Sequence, residues 1–463
     1  MRSRMFRHLP PVVLAALLAG CSMAPPYVAP AAPVPESWPV GDAYLQQSES
    51  ALPVVKYTDV FRDPRLLSLA EQAIANNRDL RIAAANIAAA RASARVARAG
   101  QLPQFNATGS ADFSEGGVGN GQSFSVLGNM PAFELDLFGR LANTTAAARD
   151  RALATEAAAR AVRITLVSDL AAAWSNYAAD QELLAVARDT AENARRSLEL
   201  TRVRLQGGIA PRTDVRQAEQ ILATAEADLA VQTTALAQDE NLVRLLVGAD
   251  FDRALLPRSL AEVTASIATL PAGTSSQVLL RRPDIIEAEY RLRATHADIG
   301  AARARLFPTI SLTGLLGFTS DALGSLFSGD QFRASGGASA SQPLFDGGAR
   351  GAGVDLTEAQ RDAALATYER AIQTAFRQVA DALAVQGTIA ERLRTAQVNS
   401  EAAADTARLT EARYRGGIDS FLANLDAQRS LYTARRREVE IDLAAVNNRV
   451  ALYRALGTAP EGE

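Results

Sequence analysis

Side chains that perform catalysis or bind metals are scarce in this chain of 463 residues. It has one cysteine, Cys21, and two histidines, His8 and His296. His8 lies in an N-terminal segment of the kind that is removed after secretion, and a single remaining histidine can build neither a His-based triad nor a multi-His metal site. The glycines of 117–121 have the wrong spacing for a dinucleotide-binding loop, and the sequence has no GxxxxGK[ST] phosphate loop. We therefore predict that the chain is not an enzyme and holds no metal or diffusible cofactor.

The single cysteine follows a secretory signal. Three arginines precede the apolar stretch 12–18, which is too short to span a bilayer, so 1–20 is predicted to be a signal peptide. The sequence LAGC at 18–21 resembles the lipobox of bacterial lipoproteins, and we expect Cys21 to carry a diacylglycerol and an N-acyl chain such as palmitate. Ser22 is not the Asp that retains such proteins in the inner membrane, which favours the outer membrane. An accidental LAGC in an ordinary signal peptide is the alternative.

The charge and hydropathy of the mature chain exclude two further classes. The formal net charge is −3, and loss of the signal arginines makes it more negative, so there is no basic patch of the kind that binds nucleic acid. No later segment has eighteen consecutive apolar residues, as a transmembrane helix requires. Any crossing of the membrane must therefore use β-strands.

Sequence features recur 209 residues apart. Gly207 and Gly208 recur as Gly416 and Gly417, and each pair is followed by an Ile and a long helical pattern. The period is too long for a solenoid, so it indicates a duplicated domain. We interpret the two glycine pairs as the turns at the tips of helical hairpins.

Both halves show the order helix, strand pair, long helical hairpin. We predict a lipid-anchored, Pro-rich tether without a core at 21–60, a first repeat at 61–248, a connector at 249–276, a second repeat at 277–457 and a tail at 458–463. The predicted helices span 65–99, 140–205, 211–247, 278–305, 350–414 and 420–456, and the predicted strands span about 104–113, 123–137, 309–318 and 332–345.

The long helices carry a coiled-coil seam. Apolar and small residues follow each other at spacings of four and three from Leu166 to Leu205, and Asp180 is the one charged member. The second repeat has the same alternation from Leu393 to Tyr414. A helix over 140–205 would run roughly 100 Å, so it must pack against other long helices.

The strands have the pattern of transmembrane strands. Apolar and polar residues alternate from Phe105 to Phe113, and segments of about ten residues fit a tilted membrane strand. Pro131 and Pro343 indicate a bulge or an early strand end. Aromatic residues near the strand ends suit an interfacial girdle: Phe133, Phe138 and Phe345. Soluble β-hairpins are the alternative.

Four strands cannot close a barrel, and open strand edges are not tolerated in lipid. Two copies would supply eight strands, whose interior is filled by side chains, whereas three supply twelve and leave a bore. We therefore predict a homotrimer whose strands form a 12-stranded β-barrel.

Three segments carry a resemblance to a known family. They are 61–66 (FRDPRL), 279–284 (LLRRPD) and 415–429 (RGGIDSFLANLDAQR). With them the chain resembles the outer membrane factors, or TolC-like channels, of the lipoprotein (NodT-type) branch that serves multidrug efflux. The resemblance covers essentially the whole mature chain. It implies a mainly α fold with transmembrane β, in which the trimeric barrel is continuous with a periplasmic α-helical coiled-coil barrel, with outer membrane lipids around it and peptidoglycan nearby. It also implies an exit duct for drugs, toxic compounds or metal ions, which works with a periplasmic adaptor and an inner-membrane pump of RND type.

The resemblance assigns an aperture at the periplasmic end. Leu422 and Asp426 match a Leu and an Asp that ring the threefold axis in the family. Three carboxylates around one axis would repel each other and attract cations. A solvated carboxylate on an ordinary helix is the alternative for Asp426.

The resemblance also implies a latch that holds the aperture closed. Three residues match it: Thr213, Asp214 and Tyr414. Asp419 stands where the family has a partner Arg, so part of the latch is missing. Tyr414 as a plain seam residue is the alternative.

Two other functions share some of these features. A type I protein secretion duct has the same architecture, but the lipid anchor and the 279–284 motif favour efflux. A periplasmic coiled-coil adaptor usually has one helical hairpin rather than two. The sequence does not identify the exported compounds, the pump or the adaptor.

Overall fold

The computed structural model describes residues 22–35, 37–39, 41, 43–44, 56–114, 121–269 and 276–457. Its helices are α1 (Pro64–Asn76), α2 (Arg78–Ala99), α3 (Arg140–Gln206), α4 (Arg212–Val247), α5 (Leu260–Ser266), α6 (Pro283–Ala304), α7 (Ala349–Arg415) and α8 (Phe421–Leu456). Its strands are β1 (Asn106–Ser114), β2 (Gly121–Glu134), β3 (Thr309–Ser320) and β4 (Phe332–Ser341). Short helical turns lie at Tyr57–Val60, Arg253–Leu255, Ser276–Arg281, Leu323–Ser325 and Gly329–Gln331. The predicted signal peptide, Cys21 and the tail 458–463 lie outside the described residues.

The four long helices match their predicted bounds within a residue. Helices α3 and α4 form the hairpin of the first repeat, and α7 and α8 form that of the second. The predicted seam of α3 is buried at most of its positions, including Leu170, Leu184 and Leu198, because these residues recur on one face of the helix. None of the helices in the described ranges is long and apolar enough to cross a membrane.

The predicted helix 65–99 is wrong, because two helices meet at Asn77. The backbone of Asn77 is extended, with ψ at 136°. Its Oδ1 accepts the backbone N–H groups of Asp79 and Leu80 at 2.8 and 3.2 Å, so its side chain caps α2. Its Nδ2 donates to the carbonyl of Leu246 at 2.9 Å. The break therefore ties the start of α2 to the end of α4.

The predicted helix 278–305 begins later than expected, at Pro283. The preceding residues 276–281 form a 3₁₀ turn, because the residue before a proline avoids the α conformation. Buried Arg282 donates to Asp284 and Gln378 and to the carbonyl of Ala455. The 279–284 motif thus supports the end of α8.

The four strands form one antiparallel sheet in the order β1-β2-β3-β4. Asn106 pairs with Asn129, and Thr309 pairs with Ser341, so β1 starts and β4 ends at the same end of the sheet. The register shifts between Met130 and Phe133, which confirms the bulge predicted from Pro131.

Two strands end clearly earlier than predicted. The strand predicted at 123–137 ends at Glu134, and the strand predicted at 332–345 ends at Ser341, before Pro343. Phe138 and Phe345 therefore lie outside the strands, and Phe138 stacks on Phe307 with ring centroids 4.7 Å apart.

The chain divides into two compact units that do not follow the sequence repeats. The first takes its described residues from 22–31, 85–156 and 287–370 and contains the sheet. The second takes its described residues from 32–84, 157–286 and 371–457 and contains α4, α5 and α8. Each unit combines segments of both repeats.

The prediction that 21–60 has no core is wrong for its described part. Trp38 is 8% exposed and stacks on Phe376 with ring centroids 4.8 Å apart. Val60 is fully buried beside Phe61, which packs edge-on against Tyr453. The predicted connector 249–276 contains α5 and returns to this core through a β-bridge between Ile267 and Phe61.

Candidate aperture and hairpin turns

The two hairpin turns have the same backbone geometry. Gly208 and Gly417 have φ values of 75° and 77°, a left-handed conformation that glycine adopts without strain. In each turn the N–H of the following Ile donates to the carbonyl of an Arg, Arg204 or Arg413, at 2.9 Å. The glycine pairs therefore end α3 and α7 as predicted.

Arg204 links the two turns in the second unit, which the sequence did not reveal. Its Nη1 donates to the carbonyl of Tyr414 at 2.6 Å, and its guanidinium lies 4.6 Å from the centroid of the Tyr414 ring. Its repeat partner, Arg413, instead pairs with Asp419 at 2.8 Å, and Asp419 corresponds to Ala210 in the first repeat. Because Arg204 has no acidic residue at that position, it reaches the other turn.

Tyr414 belongs to the core between the hairpins. It is 4% exposed, and its ring packs near Phe421 with centroids 5.7 Å apart. Its hydroxyl lies 3.3 Å from that of Thr201. The buried cluster around it contains Leu198, Val215, Ala218, Phe421 and Leu425. The seam interpretation of Tyr414 thus fits the single chain.

The predicted latch residues do not meet within one chain. The hydroxyl of Thr213 is 3.5 Å from Oδ1 of Asp214, at the exposed start of α4, whereas the hydroxyl of Tyr414 is bonded to Thr201. Asp419, which replaces the family Arg, is held by Arg413, and hydrogen bonding to that guanidinium lowers its pKa. Any latch through Thr213 and Asp214 would have to be made between copies.

The predicted aperture residues lie together on the outer face of α8. Leu422 and Asp426 are four residues apart, so they lie one turn apart on the same face. Leu422 is 56% exposed and Asp426 is exposed, whereas Phe421 and Leu425 are buried. Within the described chain, no hydrogen bond or ion pair occupies Asp426. An apolar side chain and an unpaired carboxylate are therefore presented together, as an aperture requires.

A carboxyl pair lies further along the hairpin, at the one charged position of the predicted seam. Asp180 of α3 faces Asp239 of α4, and Oδ2 of Asp239 is buried without a hydrogen-bond partner. Burial, followed by the nearby Asp180 charge, raises the pKa of Asp239 to about 7. Below that pH the Asp239 carboxyl is therefore protonated and neutral.

The comparisons with known proteins assign the family. The model of the outer membrane efflux protein family matches residues 69–249 and 274–458. The solvent efflux pump outer membrane protein SrpC of Pseudomonas putida is 38% identical over 98% of both chains. The cation efflux system protein CusC of Escherichia coli is 36% identical over 96% of this chain and 98% of its own. A crystal structure of a membrane protein from Pseudomonas aeruginosa superposes with a TM-score of 0.86 at 36% identity, over 94% of this chain and all of the other.

The chain belongs to the outer membrane efflux protein family. It is an outer membrane protein and the channel component of a tripartite efflux system, which works with a periplasmic adaptor and an inner-membrane pump. Its family has a transport role, and the sequence-based resemblance is confirmed. The mainly helical fold with a small number of strands is shared with solved channels of this family.

Proposed function

We propose that three copies of this chain form a passive duct that carries small toxic compounds or metal ions out through the outer membrane. The four-stranded sheet carries this proposal, because β1 and β4 each pair with one neighbour only in the described chain. The duct performs no catalysis, and the pump supplies the energy.

The sheet edges argue for several copies. Every residue of β1 and of β4 is exposed in the single chain. Lipid cannot satisfy the backbone groups along such edges, so β1 of one copy must pair with β4 of the next. Two copies would close eight strands around a filled interior, whereas three close twelve strands around a bore. A trimer is the smallest such assembly that leaves a passage.

The strand surfaces support contact with lipid. Large apolar side chains are exposed on or next to the strands: Phe105, Phe113, Val126, Leu316 and Phe332. A band of this kind is expected on the outside of a membrane barrel. The acyl chains expected on Cys21 would add membrane affinity.

Threefold symmetry would turn the exposed face of α8 into an aperture. Three copies of Leu422 would form an apolar constriction, and three copies of Asp426 would form a carboxylate ring one turn away. The like charges would repel each other and attract cations, so divalent ions should block the closed duct. A periplasmic barrel of long helices, continuous with the strands, would carry this ring near its closed end.

The relatives' names support small cargo. SrpC is named for solvents and CusC for cations, yet both match this chain over nearly its full length. A duct compatible with such different cargo would leave selection to the pump, which we expect to be of RND type. Both names denote efflux rather than protein secretion, which favours efflux over a type I secretion duct.

Disulfide trapping tests the trimer. With Cys21 acylated, Asn106→Cys and Ser341→Cys provide the only free thiols. Both positions lie at the same end of the sheet but are separated by two strands, too far for a bond within one chain. We expect oxidation to give covalent dimers and trimers, and a scan of neighbouring positions to give the register.

The matched control pairs Ser125→Cys with Thr319→Cys, which face each other across β2 and β3 and should bond within one chain. Conductance of the purified protein in planar bilayers is the functional readout. A protein that stays monomeric at every register and conducts no ions refutes the duct.

A further inference from the structure

The described part of the Pro-rich segment after Cys21 is docked on the folded chain. In the first unit, the hydroxyl of Ser22 donates to Oδ1 of Asn143 at 3.0 Å. Ala24 lies against Gly300 of α6, where an added Cβ would be 2.7 Å from the Cβ of Ala24. A side chain at Gly300 would therefore displace the segment.

Tyr27 anchors the segment against polar side chains of α6. Its hydroxyl donates to Glu289 at 3.2 Å, and the guanidinium of Arg293 lies 4.9 Å from its ring centroid. His296 packs edge-on against the same ring at 5.3 Å. Burial raises the pKa of Tyr27 to about 12, so its hydroxyl stays protonated and can donate. The single histidine of the mature chain thus packs against this anchor.

The same segment has separate contacts in the second unit. The hydroxyl of Ser276 donates to the carbonyl of Pro35 at 2.9 Å. Trp38 is stacked on Phe376 of α7 and almost fully buried. Further along α7, a Cβ added to Gly387 would lie 2.9 Å from the carbonyl carbon of Ala43. Gly387 therefore admits the backbone of the segment, as Gly300 does in the first unit.

Glycine inside a helix is less stable than alanine, so Gly300 and Gly387 need a local reason. Close approach of another backbone is such a reason. Gly353, also in α7, has no atom within 4 Å of an added Cβ and makes no such contact. The prolines of the segment favour an extended chain before docking, which lowers the entropy lost on binding.

We propose that the described residues of 22–44 are a built-in strap, a peptide ligand of their own chain, that holds the end next to Cys21 at a fixed site. The strap is seated by Tyr27 and Trp38 and admitted by Gly300 and Gly387. Its docking depends on these contacts and not on the acyl chains. An acyl anchor on Cys21 would therefore be attached to a positioned segment rather than to a loose tether.

Limited proteolysis of the full-length protein in detergent tests the strap. Chymotrypsin cleaves after Tyr27 and Tyr44, and the bond after Trp38 is blocked by Pro39. Cleavage tracks how often the segment opens. We expect Gly300→Ala to raise cleavage after Tyr27, and Gly387→Ala to raise cleavage after Tyr44, each by about tenfold.

The control separates the strap from helix propensity. Gly353→Ala adds the same methyl group to α7 in open space, so its cleavage should match that of the unmodified chain. If alanine acted only by raising helix propensity, all three glycine-to-alanine variants would be cleaved at the rate of the unmodified chain or more slowly. Unchanged cleavage in both Gly300→Ala and Gly387→Ala overturns the proposal.

Two further variants address misfolding of the glycine variants and a possible role of the lipid. Trp38→Ala leaves the helices intact and should raise cleavage after Tyr44 even where Gly387→Ala fails to fold. Cys21→Ser should leave cleavage after Tyr27 and Tyr44 at its original rate. A rise in Cys21→Ser would mean that lipid holds the segment, which contradicts the strap. Neither readout depends on the number of copies in the duct.

Discussion

The carboxyl pair in the first hairpin predicts an unusual dependence of stability on pH. Asp180 occupies a seam position of α3 and faces Asp239 of α4. Burial, and then the Asp180 charge, raises the pKa of Asp239 from 3.8 to about 7. Replacing Asp239 by Asn keeps a group that can donate to Asp180 and removes the charge that would form at high pH. Asp239→Asn is therefore the informative change.

The direction of this pH dependence follows from proton linkage. The folded chain holds this proton more tightly than the unfolded chain, so the free energy of unfolding falls as pH rises from about 4 to about 7. The full shift of roughly three pKa units corresponds to about 4 kcal/mol per chain. Asp239 is only half-buried, and screening by water reduces this to about 1–2 kcal/mol. Asp239→Asn should recover that amount at pH 8 and almost nothing at pH 4.

Thermal unfolding in detergent, followed by circular dichroism, measures the effect. Relative to Asp239→Asn, the unmodified chain should lose several degrees of melting temperature between about pH 5 and about pH 8. Asp355→Asn, at an exposed carboxylate of α7, is the control and should follow the unmodified chain. Parallel curves for the unmodified chain and Asp239→Asn would refute the reasoning, because they would mean that the folded chain does not hold the proton of Asp239 more tightly than the unfolded chain.

Three further changes test the aperture, the anchor and the turns. Asp426→Ala should raise basal conductance in planar bilayers and weaken block by divalent cations, because it removes the carboxylate ring; unchanged currents would contradict the aperture, and Asp355→Asn is the control. Cys21→Ser should abolish acylation, as measured by mass spectrometry, while the protein still enters the outer membrane through its strands; loss of membrane insertion would contradict this. Ala210→Asp should give Arg204 the local partner that Asp419 gives Arg413, and so weaken its contact with Tyr414. We expect a loss of about 1 kcal/mol in thermal unfolding, absent when Arg204 is already Ala, whereas equal losses in both backgrounds would contradict the contact.

The helical hairpins were predictable because their signals are local and long. The seam from Leu166 to Leu205 repeats over many turns, and Gly208 ends it with a left-handed conformation that other residues avoid. The strand ends were less predictable because pairing decides them. Pro343 marked an early end, but only the partner strand determines that β4 stops at Ser341.

The missed features depend on contacts between distant segments. The helical pattern over 65–99 predicts Asn77 inside a helix, although its side chain caps α2 and bonds to the end of α4. The proline-rich composition around Trp38 predicted an extended chain without a core, which describes its backbone but not its partner, Phe376. Composition reports whether a segment can form its own core, not whether another segment buries it.

The two repeats show why sequence duplication does not give duplicated chemistry. Arg204 and Arg413 are equivalent by position, and each accepts the same turn hydrogen bond from an Ile through its carbonyl. The two turns differ at one position, which is Ala210 in the first and Asp419 in the second. Asp419 binds the guanidinium of Arg413 within its own turn, whereas Arg204 has no such partner and contacts the other hairpin. Charge-assisted pairs of this kind are short-ranged and depend on one partner atom, so a substitution at one position redirects them. The contact between the hairpins is therefore asymmetric. It places Arg204 beside Tyr414, which lies just before the hairpin turn that leads to Leu422 and Asp426.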